Sequence, residues 1–228
     1  MLFALLLLPF GMRETLIAKF EVTGSLRFLS HQEMMRVWHR ALIRSGVPLS
    51  FSEGFNPHPR ISLPLPRSVG LEAAGEIACV CIERPDDQPL DIDGLRMRIG
   101  EQLPLGCTLL DVELNSGKAS FRAENAVYFL PVRADEKLHK TAEALLARLA
   151  ASERITVQRR VNDRGNSRIV DVGEYIESIE IKDNGVSAQC RIAPAGSIRV
   201  DEIMSLLQID VSMLTGAVRR TSVQWQKK

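Results

Sequence analysis

The sequence lacks the residue patterns that metal centres and disulfide scaffolds need. It has four cysteines among 228 residues, and none of them stands in a C-x-x-C or C-x3-C-x2-C spacing. Zinc and iron–sulfur clusters therefore have no recognisable ligand set, and we predict no metal and no cofactor. A chain of this length can bury a core without disulfides, so free thiols indicate a reducing compartment, and we predict a cytoplasmic location.

Several common catalytic signatures are absent as well. The polar residues around His31 and the proline-rich loop at 52–66 include no paired acids for a metal and no serine or cysteine at a known spacing from a histidine. The one candidate for a phosphate loop, GSLRFLS (residues 24–30), is not a Walker motif. These absences argue against metal-dependent hydrolysis, catalytic triads and P-loop nucleotide hydrolysis.

A long apolar run occurs only at the start of the chain. Residues 1–11 read MLFALLLLPFG, which is far too short to span a bilayer, so we predict no membrane span. The segment has no positive n-region and no small-residue cleavage site. We interpret residues 1–12 as an apolar tail or an over-extended start, with a degraded signal or a membrane-surface anchor as the alternative.

The net charge of +1 hides an uneven distribution along the chain. From Arg13 to Arg67 there are eight Lys and Arg residues against four Asp and Glu residues, whereas Ser68 to Lys118 has four against ten. A basic block followed by an acidic one indicates an anionic partner for the first block.

The first half of the chain predicts the element order β-α-β-β-α-β. A capping box, SHQE (Ser30–Glu33), begins a helix with one apolar stripe, and Gly46 ends it. Alternating or continuous apolar residues predict the strands, and helical spacing predicts the second helix. The predicted strands are Leu16–Val22, Leu49–Phe51, Gly75–Glu83 and Cys107–Leu114, and the second helix is Leu90–Leu103.

The second half predicts the same order again, without a letter-by-letter repeat. Its predicted strands and helices are Ala126–Val132, a helix at Lys137–Leu149, Ile155–Arg160, two strands in Tyr175–Ile192, a short helix VDEIMSLL (residues 200–207) and Ala217–Trp225. We predict an α+β fold of two packed ferredoxin-like units, residues 13–116 and 117–228, joined near Asn115–Ser120.

A proline-rich segment in the first unit carries the candidate site. It reads SEGFNPHPRISLPLP (Ser52–Pro66) and cannot form a helix interior or a central strand, so it is a stiffened loop. We expect this loop to meet the capped end of the first helix, where His31 follows Ser30. The shared cleft would place arginines against phosphate and Phe55 against a base. The predicted binding residues are His31, Arg36, Arg40, Phe55, Asn56, His58 and Arg60.

Plainer interpretations of the same residues remain open. An arginine stripe at Arg36, Arg40 and Arg44 is often a solvated helix face. His31 in the first turn is often a local hydrogen-bonding residue, and Asn56 before proline can merely start a turn. The basic cluster QRRVNDRGNSRIVD (residues 158–171) is interpreted as an exposed hairpin rather than a second binding site.

The stretch from Arg27 to Glu76 also resembles a known family. It reads RFLSHQEMMRVWHRALIRSGVPLSFSEGFNPHPRISLPLPRSVGLEAAGE, and its F-L-S-H opening, helix arginines and G-F-N-P-H-P run are similar to the radical SAM-linked protein family. Members are fused to cobalamin-type radical SAM proteins or encoded beside them. The resemblance implies a radical SAM partner and no settled activity. Gln32-Glu33 stands where relatives commonly have Leu-Asp, and Trp38 replaces a more polar residue.

Three functions follow as hypotheses. The first is a non-catalytic accessory module that binds RNA or another anionic substrate for the radical SAM enzyme. The second is a metal-independent endoribonuclease, with His31 as general base and Arg36 or Arg60 stabilising the phosphorane. The third is a protein–protein docking domain that contacts the radical SAM partner through the arginine stripe and the proline-rich loop.

Overall fold

The computed structural model describes residues 12–84, 89–160 and 167–228, which form a mixed α+β fold. Contacts divide the chain into two compact units. Unit 1 is Met1–Pro66, Glu76–Phe121 and Lys227–Lys228, and unit 2 is Arg67–Gly75 and Arg122–Gln226. The sequence predicts units at 13–116 and 117–228, which puts residues 67–75 in the first unit. In the structure these residues group with the second unit. The predicted tail lies outside the described residues apart from Met12, which opens the first strand.

Unit 1 follows the predicted element order, and all its elements except the second strand lie within a few residues of the predicted bounds. Its strands come in the sheet order β4-β1-β3-β2. In chain order the elements are β1 (Met12–Val22), α1 (His31–Arg44), β2 (Ile61–Ser62), β3 (Glu72–Arg84, of which Glu72–Gly75 groups with unit 2), α2 (Ile92–Gln102) and β4 (Cys107–Asn115).

The second strand of unit 1 is not where the sequence predicts it. Instead of Leu49–Phe51, the paired segment β2 is Ile61–Ser62, antiparallel to β3. Leu49 and Phe51 form only isolated bridges, the latter with Pro59. Because proline has no N–H to donate, the bridge between Phe51 and Pro59 does not extend into a ladder, and the regular pairing with β3 is made by Ile61 and Ser62.

Helix α1 begins and packs as its sequence predicts. The Ser30 hydroxyl accepts from the Glu33 N–H at 3.3 Å, and the Glu33 carboxylate accepts from the Ser30 N–H at 2.8 Å. These reciprocal bonds satisfy free donors of the first turn. Gly46 follows the helix at φ +68°, a conformation that favours glycine. The helix buries Met34, Trp38, Ala41 and Leu42 in the core of unit 1.

Unit 2 also combines helices with a sheet. Its main sheet runs β10-β9-β5-β11, β8 also pairs with β9, and β6 and β7 form a separate hairpin whose residues 161–166 lie outside the described part. The elements are β5 (Phe121–Leu130), α3 (Glu136–Ala150), β6 (Thr156–Arg160), β7 (Ser167–Asp171), β8 (Ile176–Lys182), β9 (Gly185–Ala193), β10 (Gly196–Ser197), α4 (Val200–Leu206) and β11 (Arg219–Lys227).

A buried ion pair ties the β6–β7 hairpin to α4. Arg159 and Glu202 are 8% and 5% exposed. The guanidinium donates to both carboxylate oxygens, at 2.6 and 2.7 Å, and also to the Ser197 carbonyl at 2.8 Å. The carboxylate accepts from the Arg199 N–H at 2.8 Å, so this charge pair is hydrogen-bonded on both sides.

Among the described residues, no helix has the length and apolarity that a bilayer crossing requires.

Candidate functional site

The proline-rich segment of unit 1 is a hairpin braced by backbone hydrogen bonds. The Ser50 N–H donates to the Cys81 carbonyl of β3 at 2.9 Å, and the Arg60 N–H donates to the Ser50 carbonyl at 2.9 Å. Farther out, the Ser52 N–H donates to the His58 carbonyl at 2.8 Å, and the His58 N–H donates to the Ser52 hydroxyl at 3.0 Å. The position of His58 is therefore set from both sides.

The tip of this hairpin presents its side chains to solvent. Gly54 has φ +119°, which a residue with a Cβ rarely adopts, and it lets the chain turn at the tip. Phe55 is fully exposed and Asn56 is exposed. Neither side chain has a hydrogen-bond, ion-pair or ring partner among the described residues. An unpaired phenyl ring and an unpaired amide are thus held in solvent on a stiffened turn.

Arg60 supports the hairpin as well as contributing charge. Its Nε donates to the Phe51 carbonyl at 3.0 Å, and its Nη2 lies 4.0 Å from the Glu53 carboxylate. The guanidinium has five N–H donors, so several remain for a ligand. The structure gives this residue a bracing role in addition to the binding role that the sequence predicts.

The arginine stripe of α1 is exposed and largely free of internal acceptors. Within the described part of the chain, Arg36 and Arg40 have neither a hydrogen-bond nor an ion-pair partner. Arg44 donates to the Gln102 carbonyl at 3.3 Å. The pKa of the Glu33 carboxyl is lowered, first by hydrogen bonds from Ser30 and to a smaller degree by the charge of Arg36.

The hairpin faces α1 at His39 rather than at the capped end of the helix. The His58 and His39 rings are nearly parallel, at 25°, with centroids 6.5 Å apart. His31 lies eight residues earlier, about 12 Å along the helix axis. Among the described residues, no hydrogen bond or ring contact joins His31 to the hairpin. Bracing on β3 sets the reach of the hairpin, so the hairpin meets α1 at its third turn and not at the capped end that the sequence predicts.

The predicted binding residues are thus brought together only in part. Asn56, His58, Phe55 and Arg60 share the hairpin, and Arg36 and Arg40 lie on the α1 surface near His39. Whether they bind a ligand stays a prediction. His39 is the residue that the sequence reasoning missed, because packing between segments, and no local spacing, places it opposite the hairpin.

A second exposed aromatic lies just before α1. Phe28 is 57% exposed, and the Arg27 guanidinium lies 4.4 Å from its ring centroid, a cation–π contact. Unit 1 therefore has exposed aromatic rings both before and after its arginine-bearing helix.

A separate open groove of about 630 Å³ lies in unit 2, along α3. Two of its cations are paired: Lys140 with Glu136 at 2.6 Å, and Arg148 with Glu153 at 3.0 Å. Leu145 and Leu206 form part of its lining. The groove has ligand size, but its charges largely neutralise one another.

The cysteines behave as small apolar residues. Burial is the main cause that raises the pKa of Cys79 to about 11 and that of Cys190 to about 12. Both thiols are therefore protonated at neutral pH, whereas a metal-binding cysteine must be a thiolate. The described residues contain no group of three or more His, Cys, Asp or Glu side chains placed to hold a metal ion.

Comparisons with known proteins give one family. A family model described as "uncharacterized protein conserved in bacteria (DUF2344)" matches residues 15–214. No curated protein matches the chain. Among solved structures, the small subunit of acetolactate synthase from Thermotoga maritima is 12% identical over 94% of this chain and 97% of that chain, with a TM-score of 0.24. At that TM-score the likeness carries no argument.

Proposed function

Since the chain belongs to the bacterial family DUF2344, we propose, from the geometry of unit 1, that it is an accessory module that binds RNA or another anionic substrate for a partner radical SAM enzyme. The observation that carries this proposal is the pair Arg36 and Arg40. Both guanidiniums are exposed, and neither has an acceptor among the described residues. A phosphate that binds there replaces only water and counterions, so no internal bond has to break.

The hairpin supplies the second half of a nucleic-acid surface. Sequence-tolerant binding of single strands combines cations that follow the phosphates with aromatic rings on which bases stack. Phe55 is a free ring on a stiffened turn, and Asn56 has both a donor and an acceptor for a base edge. A surface that only served solubility would not need a fully exposed phenylalanine.

The strand orders support two ferredoxin-like units, as the sequence predicts. In unit 1 the order β4-β1-β3-β2 is the 4-1-3-2 order of the β-α-β-β-α-β arrangement. In unit 2 the order β11-β5-β9-β8 repeats it, with the β6–β7 hairpin inserted and β10 added beside β9. This fold hosts many functions, so the argument for RNA rests on the side chains.

A radical SAM partner is proposed from the resemblance, and the sequence has no cysteine triad with which this chain itself could hold the cluster. The resemblance of Arg27–Glu76 to radical SAM-linked proteins supplies the kind of partner. In this arrangement the partner carries out the radical chemistry, and this chain supplies affinity and position for the substrate.

Salt-dependent RNA binding tests the proposal. Filter binding of bulk tRNA between 50 and 200 mM salt should show affinity that falls steeply with salt, because phosphate contacts release counterions. The double variant R36A/R40A should reduce the slope of log K against log salt by about 1.4 for a single-stranded site, or about 0.7 for each lost contact. R133A/K137A is the matched control, because it removes two exposed cations from unit 2 and should leave the slope unchanged.

The same samples distinguish the alternatives. Absence of affinity at 50 mM salt would remove RNA binding from the proposal. RNA cleavage in EDTA that is lost in His31→Ala would indicate the endoribonuclease. Loss of co-purification with the radical SAM partner in R36E/R40E, with RNA affinity unchanged, would indicate a docking domain.

A further inference from the structure

The two imidazoles of unit 1 are parallel but not in contact. His39 and His58 have an interplanar angle of 25° and a centroid separation of 6.5 Å. Stacked bases follow one another at about 3.4 Å, so a ring between two others needs about 6.8 Å. The separation of the two imidazoles is close to that spacing and is too wide for the rings to stack on each other at carbon contact distance.

We infer that one unpaired base of single-stranded RNA inserts between His39 and His58, with its flanking phosphates on Arg36 and Arg40. The inference rests on the proposed function and names the substrate class for it. In an A-form duplex the bases are already stacked and cannot enter such a slot, whereas loops and single strands can turn a base outward.

Both walls of the slot are held in place before any ligand arrives. His39 is half-buried on the helix that packs the fully buried Trp38 and Leu42 into the core of unit 1. The backbone of His58 is held by its two hydrogen bonds to Ser52, and its imidazole is exposed. Because the backbone on both sides is already held, the base gains stacking without the entropy loss of closing a loop.

The phosphate contacts follow from helix geometry. Arg36 lies three residues before His39 and is its neighbour on the helix surface, and Arg40 is the i+4 neighbour of Arg36, so the two arginines form one exposed row beside His39 on α1. On the hairpin side, the charged groups near His58 are Arg60 and Glu53, which are paired with each other. An RNA backbone that lies along α1 therefore meets the positive charge of the helix arginines. On the hairpin it meets the Arg60–Glu53 pair, which has no net charge.

Titration with three ligands distinguishes insertion of a base between the two imidazoles from general polyanion binding. Wild type and His58→Ala are titrated with a single-stranded oligoribonucleotide, with the same oligomer carrying abasic sites, and with inorganic polyphosphate. Loss of a stacking wall should weaken binding of the oligoribonucleotide about 5- to 150-fold. The same variant should bind the abasic oligomer and polyphosphate as the wild type does. His58→Phe, which keeps a ring, should restore most of the lost affinity, and His139→Ala on exposed α3 is the matched control.

The outcomes separate the two proposals. If His58→Ala binds the oligoribonucleotide as the wild type does, or abasic sites make no difference to the wild type, the slot is wrong while polyanion binding stands. If neither RNA nor polyphosphate binds, both proposals fail. Adenosine, which has no phosphate, gives a direct check: it should shift the imidazole C–H resonances of His39 and His58 in NMR spectra and leave those of His139 in place.

Discussion

Replacing Glu202 with glutamine tests how the second unit holds its hairpin. The wild-type carboxylate binds the Arg159 guanidinium through two hydrogen bonds, and both residues are at most 8% exposed. Glutamine keeps the shape but removes the countercharge, so a buried cation is left beside a neutral amide. Removal of one partner from a buried pair lowers stability by about 3–5 kcal/mol.

The assay is urea unfolding with fluorescence of Trp225, which lies in unit 2 and donates to the Gly75 carbonyl of the same unit. A Trp38→Phe background removes the other tryptophan, which belongs to unit 1. In thermal unfolding, 3–5 kcal/mol corresponds to a loss of about 6–20 °C in Tm for a chain of this size. The matched control is Glu136→Gln, which breaks an exposed pair with Lys140 and should change stability by no more than about 0.5 kcal/mol.

The double variant R159M/E202L tests whether the uncompensated charge of Arg159 causes the loss of stability in Glu202→Gln. Apolar side chains in place of a buried pair are often neutral or stabilising, so this variant should be more stable than Glu202→Gln alone. A double variant that is less stable than the single one would refute the reasoning. It would mean that the hydrogen bonds to the Ser197 carbonyl and from the Arg199 N–H hold the hairpin, rather than charge balance.

The pH dependence of this pair has a definite sign. Burial acts to raise the pKa of Glu202, but the hydrogen bonds from Arg159 and the Arg199 N–H outweigh it, and the pKa lies below its ordinary 4.5. The unfolded chain therefore takes up a proton at higher pH than the folded chain does. The stabilisation is complete above about pH 4.5 and is lost as the pH falls through the folded pKa. The stability difference between wild type and Glu202→Gln should shrink in that acidic window.

Two further predictions concern the helix cap and the thiols. Ser30→Ala should lower the free energy of unfolding by about 1 kcal/mol, because the Glu33 N–H loses its acceptor; urea unfolding measures this, and an unchanged midpoint would show that water replaces the cap. Cys79 and Cys190 should resist iodoacetamide at pH 8 in the folded protein, because their thiol pKa values are about 11 and about 12. Mass spectrometry with and without urea measures this, and labelling of either residue without urea would contradict it.

Local signals predicted the first helix and most strands. The S-x-x-E capping box, the apolar stripe of α1 and the glycine after it all act within a few residues, and each appears as expected. The Leu49–Phe51 strand was misplaced because its pairing depends on where Pro59 lies across the hairpin, which is not a local property. Grouping of 67–75 with the second unit depends on parallel pairing of Glu72 and Ala73 with β11, nearly 150 residues away.

The candidate site was likewise predictable from the sequence only in part. The exposure of Arg36 and Arg40 follows from helical periodicity, and the stiffness of the hairpin follows from its prolines, so both were available from the sequence. Which histidine faces His58 was not available. That depends on how far the hairpin reaches along α1 once its base is bonded to β3, a distance set by packing between segments, and it places His39 rather than His31 opposite the loop.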